Sequence, residues 1–190
     1  MSHPEFPNEV VTRALTRLVR VPGLDRPAAL ITLDNGHDHT KPNTFGPGGL
    51  ASLDAAITEA LAAEPAFIAL TGKPFIFCVG ADLTGVGLVR SREQALQLGR
   101  EGHRIFARLR NSSVPTFAFI NGAAMGGGLE VALHCHYRTL SSSVTMLALP
   151  EVGLGLVPAW GGTQLLPKLV GIINAATVIV QNPLQQNKML

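Results

Sequence analysis

Three segments of this chain hold the residue types that proton transfer beside a polarised carbonyl requires. The richest is INGAAMGGGLEVALHC, residues 120–135. An apolar run leads into Gly126, Gly127 and Gly128, which open a predicted helix with Glu130 in its first turn. The first N–H groups of a helix have no internal partner, and its dipole favours negative charge at that end. Glycines let a ligand come close to that backbone. The turn therefore suits an anion or a developing oxyanion. Glu130 is either a reacting carboxylate or a complement to the helix dipole, and spacing alone leaves both open.

The second segment is LPEVGLGLVPAWGGT, residues 149–163, a tightly turned loop whose Glu151 is the only acid after Glu130. A carboxylate among Leu, Val and Ala is desolvated, which raises its pKa and fits it for proton transfer. The plainer reading is a loop cap or an arginine partner. The third is FIFCVGADLT, residues 75–84. A strand stops at Gly80, and the N–H groups of Ala81 and Asp82 then point away from the sheet. They are free to bind unless this is an ordinary strand-to-loop turn.

Other chemistries fail on residues. A P-loop needs a Lys after its last glycine, and Leu129 follows Gly128. The dinucleotide pattern GxGxxG is absent from this turn, and GxSxG and HExxH are absent from the whole chain. Cys78 and Cys135 have no CxxC spacing, so neither a disulfide framework nor a structural zinc site is expected. His37 and His39 share a loop, and His134 and His136 flank Cys135. A metal site there is conceivable, but no carboxylate or second cysteine is close in sequence, and none is expected. His136 is expected to complement a helix C-terminus.

These segments need a scaffold of short buried strands. AALITL (28–33), AFIAL (66–70), FIFCV (75–79) and TFAFI (116–120) read as strands buried on both faces, with shorter ones at 137–140 and 144–147. Helical spacing marks 48–63 and 93–110, and Gly126–Cys135 reads as a third helix. Thr163 is placed to cap another to about Val170, with Pro167 near its first turn, and 172–180 reads as helical. Asn121-Gly122 reads as a turn, and 34–47 as a long polar loop. Residues 1–27 read as a leader, amphipathic or extended, 28–171 as the core, and 172–190 as the start of a C-terminal region. Short apolar strands between helices argue for a mainly parallel sheet in an α/β layer fold.

The composition sets bounds. The 190 residues suffice for one domain with a large core. Charged residues make up 15% and apolar ones 46%, which excludes a disordered chain. So low a charge is what a surface partly covered by another subunit would leave. The net charge is +2, with no run of Lys or Arg and a single Trp and Tyr, so nucleic acid is not an expected partner. The longest apolar stretch, 169–180, is broken by Gly171, Asn174 and Thr177 and falls short of the ~20 residues a membrane span needs. Glu5, Glu9 and Arg13 without an apolar stretch leave no sign of a signal peptide, so a reducing cytoplasm is expected.

Taken together, the three segments resemble the enoyl-CoA hydratase/isomerase, or crotonase, family. The residues that carry the likeness are GAD at 80–82, NGxxxGGGxE at 121–130 and PExxxGxxPxxGGT at 150–163, in register with one another. The polar loop DNGHDHTKPNTFGPGGL is similar to the hydratase portion of actinobacterial multifunctional fatty-acid oxidation proteins. The resemblance implies the spiral of short strands and helices of the ClpP/crotonase superfamily fold, without its usual C-terminal helices, and assembly as trimers or hexamers. It implies an acyl-CoA thioester as substrate and no cofactor, CoA entering with the substrate. By carry-over, the N–H groups of Ala81 and Gly127 form the oxyanion hole. Glu130 activates water, Glu151 protonates the α-carbon, and Asp82, Leu83 and Gly126 contact the substrate. The implied reaction is hydration of a trans-2-enoyl-CoA to a 3-hydroxyacyl-CoA in fatty-acid β-oxidation. A Δ3-Δ2 isomerase on the same fold and a non-catalytic domain of a multifunctional protein are the alternatives. Two positions depart from the family pattern: His136 stands where Asp is common, and Ala159 where Gly is common.

Overall fold

The computed structural model describes residues 6–185. Among these residues, eight strands form two sheets. The larger is built from β1 (Arg13–Val19), β2 (Ala28–Asp34), β3 (Ile68–Gly72), β5 (Thr116–Ile120) and β7 (Tyr137–Leu140) in the order β1-β2-β3-β5-β7. The smaller is built from β4 (Phe75–Val79), β6 (Gly122–Met125) and β8 (Leu147–Ala148) in the order β4-β6-β8. Every pairing is parallel except β1 with β2. Parallel strands cannot be joined by a tight hairpin. The chain solves this by repetition: β3 and β4, β5 and β6, and β7 and β8 each place one strand in each sheet, and helical chain leads from the first pair to the second and from the second to the third.

The core follows from the strand composition. Ile31, Leu33, Ile68 and Leu70 on β2 and β3 are fully buried. Leu50, Leu53 and Ile57 of α1 (Pro47–Ala62) and Ile105, Phe106 and Leu109 of α3 (Arg92–Arg110) pack in the same cluster. Between these two helices lies α2 (Leu83–Val86), and α4 (Gly127–Leu133) follows β6. A second apolar cluster joins Leu129 and Leu133 of α4 to Leu165 and Leu166 of α5 (Gly162–Val170) and Ala175 of α6 (Ile172–Ala176). The chain then continues through a π-helical turn, Thr177–Gln181, into Asn182–Leu184.

Several sequence expectations are corrected. Of the stretch read as an amphipathic or extended leader, residues 1–5 lie outside the described residues, and the part from Arg13 to Val19 is extended and paired into the larger sheet. Residues 13–19 form the sheet's edge strand, and Glu9 supplies the cap that α1 lacks, its carboxylate accepting from Gly48 N (2.9 Å) and Gly49 N (2.8 Å). These are orphan donors of a helix start, and a carboxylate also answers the dipole. Asn121-Gly122 does not simply turn the chain: Gly122 opens β6, while the Asn121 amide braces the β3–β4 turn through Gly72 N, Gly72 O and Lys73 O. The strand expected over 144–147 is the shorter β8. Thr163 does not cap α5. Gly161 stands at that position, and Pro167 is the sixth helical residue rather than a first-turn one.

Candidate active site

Two glycines with positive φ aim the backbone of the site. Gly80 (φ +82°) ends β4, and Gly126 (φ +51°) stands between β6 and α4. Only glycine adopts such conformations cheaply, and each reorients the peptide that follows it. Those peptides carry the N–H groups of Ala81 and Gly127. Among the described residues, neither N–H donates to any loop, turn or cap acceptor. The two lie side by side: a Cβ added to Gly127 would sit 3.7 Å from Ala81 N. Phe45 locks the Ala81 side, its N–H donating to Gly80 O (2.8 Å) and its carbonyl accepting from Asp82 N (2.9 Å). The close approach needs Gly128 as well, because a Cβ there would overlap the Cys78 carbonyl.

Both candidate carboxylates line the cavity onto which these amides open. It measures about 560 Å³, and Gly80, Ala81, Gly126, Gly127, Glu130 and Glu151 all border it. The rest of its wall is apolar and includes Leu83, Val86, Leu98, Met125 and Leu154. Glu130 projects from α4 and is 2% exposed. Its Oε1 accepts from Trp160 N and Gly162 N, both at 2.8 Å. Burial pushes its pKa up to about 7; the Glu151 charge adds to the rise, and the two N–H donors oppose it. Glu151 starts a 3-10 turn (Glu151–Leu154), and its Oε1 would stand 3.0 Å from a Cβ at Gly126. Its Oε2 is buried without a partner among the described residues, and burial raises its pKa. Two desolvated carboxyl groups on one cavity, one with its pKa near neutral and the other also raised, are the arrangement that paired base and acid catalysis uses.

The remaining expected site residues divide. Leu83 and Gly126 border the cavity, but Asp82 does not. The Asp82 carboxylate is turned to its own helix, accepting from Thr84 N (2.9 Å) and Thr84 Oγ1 (2.7 Å) at the start of α2. The cluster around Cys135 disperses. His134 Nε2 donates to Trp160 O (2.8 Å), Cys135 Sγ turns to Val131 O, and His136 Nδ1 accepts from Thr116 N (3.0 Å). His136 thus serves the start of β5 as an acceptor, not α4 as a dipole complement. Burial pushes both thiols up to about 12, so neither is a nucleophile at neutral pH. Among the described residues no three His, Cys, Asp or Glu side chains converge as metal ligands, and no helix is long and apolar enough to cross a membrane. Ala159, where the family pattern has Gly, borders the cavity without positive φ, so its loop makes no demand for glycine there.

Sequence reasoning missed Trp160, whose N–H grips Glu130 and whose indole packs over Gly127. Being the only Trp of the chain, and inside a glycine-rich loop, was the available signal.

A family model described as enoyl-CoA hydratase/isomerase matches residues 28–185. The chain belongs to that family. Its fold is the crotonase-like α/β one. An enoyl-CoA hydratase from Thermoplasma volcanium superposes with a TM-score of 0.77 at 29% identity, over 88% of this chain and 64% of that one. DspI of Pseudomonas aeruginosa superposes at 0.74 with 34% identity, over 88% and 65%. Among curated proteins, the fatty acid oxidation complex subunit alpha of Shewanella frigidimarina is 41% identical over 157 residues, 80% of this chain. The chain spans 22% of that relative's length.

Proposed function

We propose that this chain hydrates a trans-2-enoyl-CoA to the 3-hydroxyacyl-CoA, as a step of fatty-acid oxidation. The observation that carries the reading is that Glu130, Glu151 and the two free amides border one apolar cavity. The thioester carbonyl sits against Ala81 N–H and Gly127 N–H. Glu130, as carboxylate, takes a proton from water while the water oxygen bonds to C3. The C2–C3 π electrons move to the thioester oxygen as an enolate, where the two amides meet the charge; one such donor is worth about 2.7–4 kcal/mol of barrier. The enolate then collapses, and its α-carbon takes the Glu151 proton. Glu130 ends protonated and Glu151 ionised, and exchange with solvent resets both. Nothing in this sequence calls for a metal or redox cofactor, and CoA arrives with the substrate.

The relatives' name supports a place in a multifunctional fatty-acid oxidation protein. The exposed Ile172 (74%) and Ile173 (77%) support assembly into trimers or hexamers, with such apolar surface covered. The test is crotonyl-CoA hydration by the wild type and by Glu130→Gln and Glu151→Gln. Turnover that survives unchanged in both variants overturns the assignment. Feeding a 3-enoyl-CoA separates isomerase activity. A CoA-thioester titration without binding or turnover supports the non-catalytic alternative.

A further inference from the structure

Glu130 on α4 and His134, the C-cap of that helix with helical backbone, lie one turn apart, so both point the same way. What they meet is one short stretch, residues 160–162. Trp160 N and Gly162 N donate to Glu130 Oε1, and Trp160 O accepts from His134 Nε2 at 2.8 Å. The carbonyl has no proton to give, so Nε2 carries the hydrogen and the ring is the Nε2–H tautomer. His134 is fully buried, and its Nδ1 has no partner among the described residues. His103 and Arg110 of α3 lie near it, and burial holds the ring neutral with a pKa down at about 4. Gly161 is fitted to this contact: a Cβ there would stand 2.5 Å from His134 Nε2, and its φ of +122° excludes other residues cheaply.

From this geometry we infer that His134 is a positioning residue for the candidate base: it clamps the Trp160 carbonyl so that the flanking N–H groups stay on Glu130. The clamp acts through the loop and never touches substrate. Both N–H bonds favour the ionised carboxylate. Releasing the loop weakens them, so Glu130 must bind its proton more tightly, Glu151 still facing it from the 3-10 turn. A side chain that only filled space at position 134 would leave that proton affinity unchanged.

The test compares His134→Leu, which keeps an apolar buried side chain and removes the donor, with His134→Gln, which keeps an amide donor. The first readout is the Glu130 titration by carbon-13 carboxyl NMR on the full chain, assigned with Glu130→Gln. The expected result is a rise in Glu130 proton affinity of about tenfold in His134→Leu, the size of one weakened charged hydrogen bond, and a return towards wild type in His134→Gln. The second readout rests on the hydratase reading: the acid limb of kcat/KM moves to higher pH in step with the titration. An unchanged Glu130 titration in a folded His134→Leu overturns the inference, whether or not the chain hydrates enoyl-CoA. A shifted titration with an inactive wild type instead keeps the clamp and overturns the hydratase reading. If His134→Leu does not fold, Gly161→Ala pushes the same contact apart from the loop side. It must raise the Glu130 proton affinity in the same direction, or the inference fails.

Discussion

The two glutamates of the cavity are held in opposite ways. Glu130 grows from a buried helix, and one of its oxygens is gripped by two main-chain donors. Glu151 begins a short 3-10 turn, and its Oε2 has no hydrogen-bond partner among the described residues. Burial raises the pKa of both; at Glu130 the two N–H donors oppose the rise without cancelling it, and at Glu151 only its own backbone N–H does. The contrast is therefore one of positioning: the proposed base is held by donors from another loop, and the proposed proton donor only within its own turn.

The largest expected effect removes the difference. Glu130→Gln and Glu151→Gln should each lower kcat for crotonyl-CoA hydration by about 10²–10⁴-fold, the usual worth of a general acid or base. Shortening each side chain sharpens the comparison. Glu130→Asp pulls the carboxylate out of a fixed pair of donors and should cost about as much as the Gln change, since misplacement near 1 Å costs about 10²-fold. Glu151→Asp gives up no donor from another part of the chain and should cost less. Steady-state kinetics of the four variants decides it, and equal losses in the two Asp variants would break the contrast.

Gly127→Ala attacks the point shared by both. The added methyl would come within 2.5 Å of the Trp160 ring and 3.7 Å of Ala81 N. It would enter the space of the proposed oxyanion site and displace the residue that holds Glu130. A fall in kcat of about 10²–10³-fold is expected, with KM changed far less. A KM-dominated effect would mean that the amides bind substrate without favouring the enolate.

The pH dependence gives the contrast a sign. The Glu130 pKa is raised from its ordinary 4.5 to about 7. Between those values the folded protein holds a proton that the unfolded chain has lost, so stability falls as pH rises through this window. The cost is absent below pH 4.5 and complete above 7, at about 3 kcal/mol. Glu130→Gln should therefore melt higher than wild type at pH 8, with the gap closing towards pH 5, even as activity is lost. Equal melting temperatures at pH 8 would show that the two donors cancel the burial cost. The acid limb of kcat/KM should lie near pH 7, activity rising as Glu130 ionises.

What was legible in the sequence was local. Apolar runs such as AALITL and TFAFI marked buried strands, and the glycines of GAD and GGG marked the turns that aim Ala81 and Gly127. What was not legible spans long separations. Glu9 caps a helix about forty residues away, and Trp160 and Gly162 grip a carboxylate thirty residues earlier. Neither contact leaves a pattern in its own neighbourhood. The β1 strand hid because RALTRLV lies on a half-exposed edge, where alternation and helical spacing look alike. Asp82 is the opposite case, because its use was written locally. Asp followed two residues later by Thr at a helix start is a capping pattern.

Asp82 carries the smallest predicted effect. Its carboxylate caps α2 through Thr84, while the neighbouring Ala81 amide is fixed by main-chain bonds with Phe45 that no side chain at position 82 supplies. Asp82→Ala should therefore lower stability by about 0.5–2 kcal/mol, as lost caps do, and leave kcat and KM within a few-fold. Urea unfolding and crotonyl-CoA kinetics on the same preparation measure both. A tenfold rise in KM at unchanged stability would return Asp82 to the substrate contacts that the family resemblance implied. It would also mean that the α2 start turns towards the cavity when the acyl-CoA binds.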